Sequence, residues 1–77
     1  MARKAGVPVT ARALVQRINR TLSKDGEVLR AMRGQAVHDL GSYIVIDTNG
    51  NSVAHKRVDI ERLGRKLGVL KDFETLT

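Results

Sequence analysis

The sequence predicts a single small α+β domain in which two helices pack on one face of a short antiparallel sheet. Three observations predict it. The stretch Ala11–Lys24 places Ala11, Leu14, Val15, Ile18 and Leu22 on one stripe at the helical period. Ser42–Asp47 is rich in β-branched and aromatic residues and runs into Asn49-Gly50, a strong hairpin signal. Asp59 then precedes Ile60, Leu63 and Leu67, a second and shorter amphipathic stretch. The expected order is α-β-β-β-α, or α-β-β-α if the segment around Val28 is not a strand.

Residues 1–9, with Arg3 and Lys4, read as a flexible basic N-terminal segment, and residues 10–77 as the domain. Val7-Pro8-Val9 is expected to be extended, because a residue before proline is biased away from the α region. Thr10 offers a side-chain oxygen as helix N-cap. The first helix then spans Ala11–Lys24, and Gly26 suits a left-handed C-terminal cap. Val28–Arg33 reads as a strand followed by a loop. Gly34 argues against one continuous helix there, at a cost of about 1 kcal/mol relative to Ala. The hairpin returns along Ser52–Arg57. The last helix covers Ile60–Leu67, with Asp59 as cap, Gly64 allowing close approach to the sheet, and Gly68 ending it. Val69, Leu70 and Phe73 are expected to fold back as an apolar tail.

A chain of 77 residues has room for one domain with a thin core. Cysteine is absent, which removes disulfides and Cys-based zinc sites. Apolar runs such as Ile44-Val45-Ile46 fall far short of the about 20 residues a membrane span needs. No apolar stretch follows the basic N-terminus as in a signal peptide. The expectation is a cytoplasmic protein with no membrane partner.

The charge is segregated. Residues 1–33 carry eight basic side chains against two acids, and residues 34–77 carry six against six. The whole net charge of +6 therefore lies in the first 33 residues. Such segregation points to a polyanionic or acidic partner.

Within the first helix, Arg17, Arg20 and Lys24 form a stripe opposite Leu14, Ile18 and Leu22, with Arg12 and Gln16 flanking it. No acid occurs from Ala11 to Lys24. A merely solvated helix face interleaves acids with bases, because opposite charges at i,i+4 stabilise the helix. Arg also suits phosphate, through its planar fork of donors. Arg12, Arg17, Arg20 and Lys24 are therefore expected to contact the phosphate backbone of DNA or RNA. Arg30, Arg33, Lys56 and Arg57 are secondary candidates, extending the patch if the fold gathers them. Internal salt bridges from the stripe to Asp39, Asp47, Asp72 or Glu74 would remove this surface. Stacking on single strands is disfavoured, since the only aromatics are Tyr43 and Phe73, and Phe73 is expected in the core.

The α-β-β-β-α order and basic character resemble the double-stranded-RNA-binding domain at the level of topology alone. That family's residues are not matched. Asp59 and Glu61, rather than a basic cluster, open the last helix, and the loop with Gly34 and His38 lacks the expected proline.

No constellation for catalysis is legible. His38-Asp39 is the one suggestive pair, and His55 is the only other histidine, too few for a zinc site. Gly64-Arg65-Lys66 lacks the glycine-rich lead of a phosphate loop. The chain reads as a non-enzyme with no cofactor and no metal. The competing reading is a protein-interaction module or inhibitor whose basic helix docks on an acidic protein. Met32, Tyr43 and Phe73 would be its apolar anchors. A homodimer, formed through the free face and edge of the sheet, is compatible with either reading.

Overall fold

The computed structural model describes residues 6–77, so Arg3 and Lys4 lie outside the described residues. The elements are β1 (Val7–Val9), α1 (Ala11–Leu22), a 3-10 turn (Ser23–Asp25), β2 (Glu27–Ala31), α2 (Ala36–Leu40), β3 (Tyr43–Asp47), β4 (Ser52–His55), α3 (Ile60–Lys66) and β5 (Glu74–Leu76). The α+β class and the central α-β-β-β-α order match the reading of the sequence. Helix α2 and the strands at the two ends are additions to it.

Helix α1 begins where Thr10 caps it, with the threonine hydroxyl accepting from Ala13 N–H at 3.1 Å. It buries Leu14, Ile18 and Leu22. The α-helix stops at Leu22 rather than Lys24 and tightens into the 3-10 turn. Gly26 then reverses the chain at φ 72°, a conformation that costs glycine little.

Strands β2, β3 and β4 form an antiparallel sheet in that order. Leu29 pairs with Val45, and both face the core with α1. The hairpin between β3 and β4 is present. Its strain falls on Asn51, at φ 52°, and not on Asn49-Gly50. Asp47 Oδ1 accepts from Asn49 N–H at 2.9 Å, an Asx-type turn that holds a longer loop. Strand β4 ends at His55, two residues before the expected Arg57. A register shift lies opposite Val45 and Ile46, and Arg57 leaves the strand at φ 54°. Its N–H donates to Leu40 O at 2.7 Å.

The expected loop after β2 contains α2. This single turn forms as Val37, His38 and Gly41 N–H donate to Gly34, Gln35 and Val37 O. The second face of the sheet is not simply open. Ile44, which alternates with the core residue Val45, is also buried.

Helix α3 is capped as expected, Asp59 Oδ1 accepting from Glu61 and Arg62 N–H. It ends in a Schellman motif. Val69 N–H donates to Gly64 O, Gly68 N–H donates to Arg65 O, and Gly68 takes φ 76°. Gly64 does allow a close approach, but to α1 rather than to the sheet. A Cβ there would lie 2.8 Å from Leu14 Cδ1. Leu70 is buried as expected, whereas Phe73 is 54% exposed.

Val7–Val9, read as part of a flexible lead-in, instead forms β1 and pairs in parallel with β5. Val7 N–H donates to Phe73 O, and Thr77 N–H donates to Val9 O. Pro8 falls between these bonding residues, so its missing N–H leaves the ladder intact. Val9 contributes its side chain to the core.

Candidate nucleic-acid interface

The rigid body of the site is α1, fixed by its buried stripe. Its outward residues are Arg12, Gln16 and Arg20, all exposed and one helical turn apart, with Lys24 exposed in the 3-10 turn beyond. Among the described residues, none of Arg12, Arg20 and Lys24 forms an ion pair. The acid next to the row is Asp25, exposed in the same 3-10 turn as Lys24 and without an ion pair among the described residues. Three acids further along the chain have structural tasks. Asp47 holds the hairpin loop, Asp59 caps α3, and Glu61 pairs with Arg65 at 3.4 Å.

Arg17 departs from the expected stripe. It sits at the border of the buried face and turns toward the C-terminal segment. Its Nη1 donates to Glu74 Oε1 at 2.9 Å, to Glu74 Oε2 at 3.1 Å and to Val69 O at 3.0 Å. Glu74 is 7% exposed, the one buried charged side chain among the described residues. The Arg17 hydrogen bond holds its carboxyl below the usual glutamate value, and the Lys71 N–H adds to this. Of the four cations expected on the surface, one is thus drawn into the internal salt bridge that would remove it, and three remain outside.

The secondary cations are not gathered on the same face. Arg30 alternates with Leu29 and so points to the sheet face opposite α1. Arg57 is tied to α2, its Nη2 donating to His38 O at 3.1 Å. Lys56 is exposed beyond β4, and Arg33 is exposed in the turn before α2.

Two features of the site were not legible. Asn19 lies beside the exposed stripe and points to β2. Its Nδ2 donates to Leu29 O at 3.2 Å, and its Oδ1 accepts from Leu29 N–H at 2.6 Å. A lone Asn in a helix carries no sequence signal for this. Lys71 comes to the flank of α1, where it lines an open groove with Arg17, Arg20 and Glu74. The spacing from Arg20 to Lys71 hides that proximity.

His38 and Asp39 are exposed, on α2 rather than in a loop. Among the described residues, no group of three or more His, Asp or Glu side chains is placed to hold a metal ion. No helix among them is long and apolar enough to cross a membrane.

Comparison with models of protein families, with curated proteins and with solved structures finds no match for this chain. The functional reading rests on the site alone.

Proposed function

We propose that the protein is a small non-enzymatic binder of nucleic acid that grips the phosphate backbone with α1. The observation that carries the reading is the row of exposed cations Arg12, Arg20 and Lys24 on a helix with no acid. Unpaired cations on a rigid helix neutralise phosphates and release condensed counterions on binding. Arg17 supports the surface from behind and is not counted among the contacts. A cytoplasmic setting belongs to this reading, as does the absence of a cofactor.

Backbone contact of this kind is read through its salt dependence. Three to four phosphate contacts give a log K against log salt slope of about −3. The test is a fluorescence-anisotropy titration against duplex DNA, single-stranded DNA and duplex RNA at about 50 and 200 mM salt. Tight binding at low salt that weakens steeply is expected, and the three probes rank DNA against RNA. No binding to any probe at low salt would sink the reading.

One observation favours a second reading, in which the basic helix docks on an acidic protein. Phe73 is exposed, two residues along the chain from Lys71, and is available as an apolar anchor. Phe73→Ala separates the two. It leaves duplex affinity unchanged in the first reading and abolishes partner capture in the second.

A further inference from the structure

The groove between α1 and the Gly68–Lys71 turn carries more than its exposure suggests. Its lining includes Arg17, Arg20 and Lys71 against the single acid Glu74, around a volume of about 370 Å³. Arg17 and Glu74 neutralise each other across 2.9 Å. Arg20 and Lys71 are left with no ion-pair partner among the described residues, so the groove holds two uncompensated positive charges.

We infer that this groove seats one phosphate group, gripped between the Arg20 guanidinium and the Lys71 ammonium. The inference rests on the nucleic-acid reading and deepens it. It adds Lys71 to the contacts and carries the phosphate path from α1 onto the C-terminal segment.

The walls are built before any ligand arrives. The Lys71 N–H donates to Glu74 Oε1 at 2.9 Å. The Lys71 carbonyl accepts from Glu74 N–H at 3.0 Å and from Arg65 Nη1 at 3.2 Å. Val69 and Leu70 N–H both donate to Gly64 O, and Val69 O accepts from Arg17. The backbone that carries Lys71 is therefore locked to α1 and α3, while its ammonium makes only a 3.5 Å contact with Gly68 O. A backbone held in place before binding loses little freedom when the ligand docks, which leaves only the Arg20 and Lys71 side chains to be ordered. Arg17 fits the same plan. All three of its bonds leave through Nη1 and tie it to Glu74 and Val69, so it forms a wall of the groove and is not one of its gripping groups. Glu74 acts here as a positioning residue, because its carboxylate orients the Arg17 guanidinium and holds the Lys71 backbone N–H.

The phosphate can belong to a nucleic-acid backbone or be free in solution, and two arms of one experiment distinguish the sources. Lys71→Met removes the charge and keeps the stem and all backbone bonds. In the first arm, duplex binding is followed against salt for the unaltered protein, Lys71→Met and Arg12→Ala. Lys71→Met is expected to make the slope shallower by about one. An unchanged slope for Lys71→Met, with a shallower one for Arg12→Ala, overturns the groove and leaves the α1 reading standing. In the second arm, inorganic phosphate is titrated by amide NMR. Saturable shifts at Arg20, Gly68 and Lys71 that vanish in Lys71→Met support the seat. If the unaltered protein binds no nucleic acid yet shows these shifts, the groove stands for free phosphate and the proposed function falls. Absence of both signals overturns the groove as well.

Discussion

The Arg17 guanidinium reaches across to the buried Glu74 carboxylate at 2.9 Å and joins the first helix to the last strand. Glu74 also accepts from Lys71 N–H, so its charge is met by two donors. This pair decides which cations of α1 face inward and which remain for a partner.

The same pair sets an acid limit on the fold. A carboxyl whose folded value is depressed contributes stability that is present above its unfolded value, about 4.3, and lost as pH falls through the lower folded value. Glu74→Gln is therefore expected to lower the melting temperature at pH 7. The gap to the unaltered protein closes as pH falls through the acidic range. Thermal melts from pH 7 to pH 3 check this, and a gap independent of pH would show that the pair's charge is immaterial.

Asn19 is expected to matter more than an exposed-face Asn should. The ladder bonds Met32 N–H to Ser42 O and Thr48 N–H to Gly26 O place the even-numbered residues of β2 in bonded pairs with β3. Leu29 therefore turns its N–H and C=O to the free edge, where the Asn19 amide satisfies both. Asn19→Ala leaves two partly buried backbone groups unmet, at a cost of about 1–3 kcal/mol. It also opens a strand edge, so self-association is expected to rise. Denaturant melts and sedimentation at several concentrations read the two effects.

Gly64→Ala tests the packing of α1 on α3. Helix propensity alone predicts a gain of about 1 kcal/mol. The added Cβ would lie 2.8 Å from Cδ1 of the fully buried Leu14 and 3.3 Å from Leu70 Cβ. Overpacking of that kind costs about 1–3 kcal/mol, so net destabilisation is expected. A gain in the urea midpoint would contradict the close packing.

Gly41→Ala is expected to be more severe. Gly41 takes φ 82° and ψ −177°, a region open essentially to glycine, and a Cβ there would lie 2.6 Å from Arg57 Cα. Strain and backbone clash together cost roughly 3 kcal/mol. Retention of native amide protection in β3 by hydrogen exchange would contradict this.

What the sequence revealed follows from what is local. The 3.6-residue stripe of α1, the Thr10 and Asp59 caps and the β3–β4 hairpin each depend on residues close in the chain, and each is present. The parallel pairing of Val7–Val9 with Glu74–Leu76 joins distant segments, and no periodicity marks it. The site divides in the same way. Arg12, Arg20 and Lys24 are exposed as their helical positions imply. Arg17 lies near the border of the buried face by helical angle, and Glu74, distant in the chain, decides which side it joins. Residue type places both Leu70 and Phe73 in the core, whereas only Leu70, next to the Schellman turn, is buried and Phe73 is exposed.

The central claim is that the exposed cations of α1 bind phosphate, and it is tested most directly by the salt slope of duplex binding in Arg12→Ala/Lys24→Ala. Neither side chain makes an ion pair among the described residues, so the fold should be retained, as circular dichroism can verify. The account predicts a slope shallower by about two than that of the unaltered protein. Equal slopes and equal affinities in the two proteins would contradict it.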